Sequence, residues 1–79
     1  MRIRKNIAVS DEGFIFNPAT GDSFSTNKIG SDIINMLKQN KSIDELKETI
    51  TQIYDVEISL FERDLDDFIS LLKNYNITE

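Results

Sequence analysis

The side chains able to do chemistry in this chain are few, and what is missing narrows the field. Among its 79 residues there is no histidine and no cysteine. The commonest general base, the thiolate nucleophile and the usual zinc ligands are therefore absent. No Ser-His or Cys-His pair can form. Gly13, Gly21 and Gly30 are scattered, so no glycine-rich loop can cradle a phosphate. Carboxylates remain. Asp64 and Asp67 could face a hard cation from one helix, but two monodentate groups make a weak site. Acids at such a position, with Glu62 and Asp66, instead favour the positive end of a helix macrodipole. Asp66 and Asp67 are expected in solvent. The chemistry points to a protein that binds rather than catalyses, with no cofactor and no metal.

The stretch with the clearest binding potential is Asp22 to Gly30, and its potential is in the main chain. Asp22 to Thr26 reads as an extended strand around Phe24, and Thr26 or Asn27 can cap the helix that follows. A strand that closes a small sheet and turns straight into helix leaves an edge of unpaired N–H and C=O groups. Such an edge must be covered, blunted or used.

The elements that position this edge follow from patterning. Arg2, Arg4 and Lys5 around Ile3 suggest a solvated, frayed terminus. Ile7 and Val9 alternate with Ala8 and Ser10, the period of a half-buried strand. Asp11-Glu12-Gly13 is a turn, and Phe14-Ile15-Phe16 is a second short strand. Asn17-Pro18-Ala19-Thr20-Gly21 is the strongest turn signal, and Phe24 anchors the third strand. From Lys28 the period becomes helical: Ile29, Ile33, Ile34 and Leu37 share a stripe that ends at Gln39-Asn40-Lys41. Gly30, in the first turn of that helix, is either tolerated there or required by a close neighbour.

Ser42 and Glu45 have the spacing of a capping box, and Leu46, Ile50 and Ile53 continue the apolar face of a second helix ending at Tyr54. Ser59 and Glu62 suggest another box. A third helix would carry Phe61, Leu65, Phe68, Ile69 and Leu72 on one side, with Leu71 and Tyr75 on a flank. It would close near Asn74 or Asn76, with Ile77 folding back. The expectation is one α+β domain over residues 1–79, a three-stranded antiparallel sheet followed by three helices in a winged-helix-like arrangement.

Charge decides between the uses of such a fold. The chain carries a net charge of −5. The excess acid lies in the second half, where the third helix holds Glu62, Asp64, Asp66 and Asp67 against Arg63 and Lys73. A helix that must neutralise phosphates cannot be this acidic, which argues against nucleic acid. No apolar run reaches the roughly 18 residues of a membrane span. No signal peptide is evident, so cytoplasmic residence is expected.

The order of features resembles the PqqD family (pyrroloquinoline quinone biosynthesis protein D) across about residues 5–77. The telling segment is Thr26-Asn27-Lys28-Ile29-Gly30-Ser31-Asp32-Ile33. Asn27, Gly30 and Ile33 match the family's strand-to-helix junction, while Thr26 stands where Leu is usual. Asn17-Pro18-Ala19-Thr20-Gly21 is similar to the family's Asp-Pro-x-Thr-Gly turn. Ser42-Ile43-Asp44-Glu45-Leu46, Tyr54-Asp55-Val56 and the Phe68-Ile69-x-x-Leu72 face also fit. The resemblance implies a non-catalytic peptide chaperone. It would bind the leader of a ribosomally made precursor peptide and present it to a modifying enzyme, often a radical SAM enzyme. It also implies that the leader adds as a strand to the third strand and lies against the third helix.

The candidate peptide contacts are then Asp22, Ser23, Phe24 and Ser25 on the edge, with Asp64, Phe68, Leu71 and Tyr75 within about 60° of arc on the helix. Asp64 could pair with a Lys or Arg of the leader. Leu71 and Tyr75 flank the core stripe, whereas Phe68 could equally be plain core. The alternatives are a winged-helix DNA-binding regulator and an acidic protein–protein scaffold. Phe24→Pro, by removing a strand amide, should discriminate between strand addition and a scaffold. A monomer or weak dimer is expected.

Overall fold

The computed structural model describes residues 1–79. Three strands are followed by three helices: β1 (Ala8–Val9), β2 (Phe14–Phe16), β3 (Ser23–Ser25), α1 (Lys28–Lys38), α2 (Ile43–Tyr54) and α3 (Ile58–Asn74). The sheet is an antiparallel meander in the order β1-β2-β3.

Local chemistry sets the turns. At the first, Ser10 N–H donates to Phe14 O and Gly13 N–H to Ser10 O. Gly13 has a φ of +99°, and a side chain there would overlap the carbonyl of Thr26. Only glycine satisfies both demands. At the second turn the Asn17 side chain accepts from Ala19 N–H at 3.0 Å, and Gly21 exits with a φ of +80°. Asn17 is also buried and donates Nδ2–H to Asn76 O, so one turn residue ties the sheet to the end of α3.

Asn27 caps α1 by accepting from Gly30 N–H at 2.9 Å. A side chain at Gly30 would overlap that of Thr26, so this glycine is required by its neighbour. Ser42 and Glu45 form both bonds of the capping box that opens α2. The α3 C-terminus is a Schellman motif: Ile77 N–H bonds Leu72 O at 2.9 Å, Asn76 N–H bonds Lys73 O at 3.1 Å, and Asn76 takes a φ of +57°. Ile77 is buried as the turn returns it to the core.

The core joins Ile3, Ile7 and Ile15 to Ile33, Ile34 and Leu37 of α1. Leu46 and Ile50 of α2 and Phe61, Leu65 and Leu72 of α3 complete it, with Ile77. Burial of these branched side chains supplies the main driving force, roughly 1.5–3 kcal/mol for each large one.

Three expectations are corrected. The N-terminus is pinned rather than frayed. Ile3 is buried and bridges Thr78, Arg4 N–H donates to Ile77 O at 2.9 Å, and Arg4 Nε donates to Asn76 O at 2.9 Å. Ile53 is 63% exposed instead of lining the core. In that last turn of α2 it is Tyr54 that faces α1, through a hydrogen bond from its hydroxyl to Asp32. The box from Ser59 to Glu62 does not form. Phe61 N–H bonds Glu57 O, so α3 begins at Ile58, and the Ser59 hydroxyl donates to the Glu57 carboxylate.

Candidate functional site

The sheet has two edges, and they are treated differently. Beside β1, the Ile7 carbonyl turns outward and accepts from Lys38 Nζ at 2.9 Å, while the Ser31 hydroxyl donates at 2.9 Å to the Ser10 carbonyl, which the first turn already holds through Gly13 N–H. Both donors come from α1, and the charged Lys38 blunts the outer edge. Nothing comparable covers β3.

The register identifies which groups β3 exposes. Phe14, Ile15 and Phe16 face Ser25, Phe24 and Ser23 in turn. At either end, Asn17 N–H donates to Asp22 O at 2.8 Å and Thr26 N–H to Gly13 O at 2.6 Å. Hydrogen-bonded and non-bonded pairs alternate along an antiparallel ladder. Asp22, Phe24 and Thr26 therefore turn their main-chain groups toward β2. Ser23 and Ser25 turn theirs outward. Both serines are solvent-exposed. This corrects the expected use of Phe24→Pro: the Phe24 amide belongs to the sheet, so that substitution attacks the fold rather than the edge.

Side chains alternate across the sheet as the main-chain groups do. Phe24 lies on the face toward α3, where its ring meets that of Tyr75 with centroids 4.8 Å apart and planes tilted by 35°. Such a pair adds roughly 0.5–1.5 kcal/mol beyond burial. It fixes the C-terminal end of α3 against the middle of β3. Just past the C-terminal end of β3, a groove of about 380 Å³ opens between the first turns of α1 and the N-terminal half of α3.

Ile33, Phe61 and Leu65 reach this groove from the core, and Ile29 and Val56 add apolar wall. Thr26, Asn27 and Gly30 form the strand-to-helix side. Leu60, Asp64 and Phe68 line it from α3, with Glu57 at the helix start. Leu60 is 50% exposed although it is large and apolar. An open sheet edge beside an apolar groove is the geometry in which an extended peptide is held by main-chain bonds and anchored by alternate side chains.

The α1 side of the groove is fixed by a small polar cluster. Asp32 accepts from Lys28 Nζ at 3.1 Å and from the Tyr54 hydroxyl. Burial opposes ionisation of Asp32, but these two donors outweigh it and hold its carboxyl below the ordinary range. The same hydrogen bond to Asp32 raises the Tyr54 phenol. The cluster joins α2 to the first turns of α1, which supply Ile29, Gly30 and Ile33 to the groove.

Of the residues expected from sequence, Asp64 and Phe68 lie in the groove, and Phe68 also packs on the core. Ser23 and Ser25 present the open main chain. Asp22 precedes β3 with its carbonyl bound to Asn17, and Phe24 and Tyr75 are paired with each other. Leu71 is 36% exposed, outside the groove lining. Thr26, Asn27, Ile29, Glu57 and Leu60 were not among the expected contacts. Leu60 was within reach of the same helical arithmetic, since Leu60, Asp64 and Phe68 are spaced by four.

Comparison with known proteins adds to this geometry. The profile of the family described as "Coenzyme PQQ synthesis protein D (PqqD)" matches residues 12–77. A search of curated proteins finds no match. Among solved structures, the chain is similar to TbiB1 in complex with the TbiA(beta) leader peptide. They share 30% identity with a TM-score of 0.85, over 100% of this chain and 95% of that one. It is also similar to a lasso peptide synthetase B1 complexed with its leader peptide. There the identity is 26% and the TM-score 0.76, over 98% of this chain and 93% of that one.

Proposed function

This chain belongs to the PqqD family, and from that premise we propose that it binds the leader of a ribosomally made precursor peptide and presents it to a modifying enzyme. The domain does not itself catalyse the modification. The leader adds as a strand to β3, pairs with the main chain of Ser23 and Ser25, and sends alternate side chains toward α3. Asp64 and Phe68 receive them in the groove, and Leu71 extends the contact toward Tyr75. Asp22, Phe24 and Tyr75 frame the site: Phe24 and Tyr75 hold strand and helix together, and Asp22 closes the ladder before the edge. The modifying enzyme, for which the family resemblance implies the radical SAM class, acts on the distal part of the peptide. This setting is cytoplasmic, and no helix of the protein is long and apolar enough to cross a membrane.

The observation that carries this reading is the contrast between the two edges: Lys38 of α1 caps the outward Ile7 carbonyl beside β1, whereas Ser23 and Ser25 face outward and uncapped, next to an apolar groove. The two similar structures, each solved with a leader peptide, support it. Main-chain bonds net only about 0.5–1.5 kcal/mol each. A micromolar complex requires about 8 kcal/mol, so apolar anchors in the groove must supply much of it.

The test is an amide chemical-shift titration of the labelled protein with the N-terminal half of a small peptide encoded beside it. Shifts concentrated at residues 22–26 and 57–71 are expected, with micromolar affinity. Shifts confined to the outer acidic faces of α2 and α3 would instead favour the scaffold reading.

A further inference from the structure

The groove is apolar in its depth, but its charge is of one sign. Its charged lining residues are Glu57 and Asp64, and no Lys or Arg lines it. The ion pairs of the chain are Lys28–Asp32 and Lys47–Glu62, so neither groove acid has a cationic partner within 4.0 Å. The two acids are not equivalent. Glu57 accepts from the Ser59 hydroxyl and sits at the positive end of α3. Asp64 has neither aid: it lies in the second turn and accepts no side-chain hydrogen bond. Structural roles absorb Glu57 but leave Asp64 unexplained, on a helix position that faces the groove between Leu60 and Phe68.

The direction of the site is also defined. Phe24 meets Tyr75 at the C-terminal end of α3, while Thr26 and Asn27 share the groove with Leu60 and Asp64 nearer its start. Strand β3 therefore runs toward the acidic end of α3. The sheet is antiparallel throughout and that pairing is the more stable per residue, so a peptide added in the same sense enters at the acidic end and leaves past Phe24. Its residues opposite Phe24 and Thr26 point toward α3, two positions apart.

We infer that the groove selects an extended leader segment with apolar side chains at alternate positions, preceded on the N-terminal side by a Lys or Arg that pairs with Asp64. This rests on the proposed function above and specifies its substrate class. Charge complementarity supplies the argument: a basic side chain at the groove mouth gains the unpaired carboxylate, whereas an acidic one is repelled by both Asp64 and Glu57. The long apolar stem of Lys or Arg can lie along Leu60 while its charged head stays wet. The effect is one of selectivity more than of affinity, because an exposed pair is worth little and is screened by salt.

The experiment is a selection from a displayed library of random dodecapeptides against the full chain, repeated against Asp64→Asn and Ser25→Pro. Against the unaltered chain, the recovered peptides should carry apolar residues at i and i+2. Lys plus Arg should be enriched at least twofold over the input library within four residues N-terminal of them. Against Asp64→Asn the apolar pattern should persist and the basic enrichment should disappear. Individual selected peptides should bind Asp64→Asn roughly threefold more weakly at low salt, with the difference lost at high salt. Recovered peptides without basic enrichment, or with equal enrichment against Asp64→Asn, would overturn this inference and leave the strand-addition reading standing. Failure to recover any peptide, or recovery of peptides that bind Ser25→Pro equally well, would overturn the strand-addition reading and this inference with it.

Discussion

Ser25→Pro separates the open edge from the fold that carries it. Ser25 is a non-bonded partner of Phe14, so its N–H faces away from β2 and a proline there removes no bond of the sheet. Proline is admissible at such an edge position. An added strand would meet Ser23 and Ser25 through two N–H and two C=O groups. The substitution deletes one of these donors and places a ring where the incoming chain must approach. A leader carbonyl left without a partner costs about 1–3 kcal/mol, which corresponds to roughly 5- to 150-fold in Kd at 1.4 kcal/mol per decade. Fluorescence anisotropy with a labelled peptide from the selection measures this loss, and circular dichroism follows the thermal midpoint. Phe24→Pro is the control. It deletes a sheet bond and disturbs the Phe24–Tyr75 contact, so it should lower the melting temperature sharply. The expected pair is a Ser25→Pro chain that melts within a few degrees of the parent and binds weakly, beside a Phe24→Pro chain that is poorly folded. Undiminished binding by a well-folded Ser25→Pro chain would refute the reasoning.

Three further outcomes test the account. Asn17→Ala removes the donor to Asn76 O and the acceptor for Ala19 N–H. It should cost about 1–3 kcal/mol, read as a lower urea midpoint with an unchanged m-value. Asp55 ends α2 in the left-handed region at a φ of +47°. Asp55→Gly should raise the stability by a few tenths to about 1 kcal/mol, measured by the same titration. Asp32 and Glu45 have carboxyls lowered from ordinary values of 3.8 and 4.5. For Asp32 the cause is that donors outweigh burial, and for Glu45 it is the bonds from the Ser42 backbone and hydroxyl. Their stabilisation is complete above those ordinary values and is lost as the pH falls through the lower folded ones. A melting series in acid should show this decline, and Tyr54→Phe should move the Asp32 carboxyl titration upward.

Local chemistry made much of this structure legible in the sequence. The Asn17–Gly21 turn, the Asn27 cap, the Ser42–Glu45 box and the return of Ile77 each depend on neighbours a few residues away. They form as their spacing suggests. What the sequence concealed depends on partners far along the chain. Nothing near Ile3 announces Thr78, which pins the N-terminus. Ile53 has the right spacing for the core, yet Tyr54 takes the contact with α1. Ser59 and Glu62 match a capping box, but α3 starts before them. The candidate site was legible to the same extent. Its strand and helix were recognisable, while the outward direction of Ser23 and Ser25 depends on a register set by both turns. The groove acids were visible as residues, but their lack of cationic partners was not.

The most direct test of the central claim is hydrogen exchange at the four successive amides from Ser23 to Thr26, with and without a bound peptide. In the free protein, Phe24 and Thr26 should exchange slowly because they bond β2, and Ser23 and Ser25 should exchange fast. On peptide binding, Ser23 and Ser25 should become protected while their neighbours change little. Saturating peptide that leaves Ser23 and Ser25 as fast as in the free protein would contradict strand addition at β3.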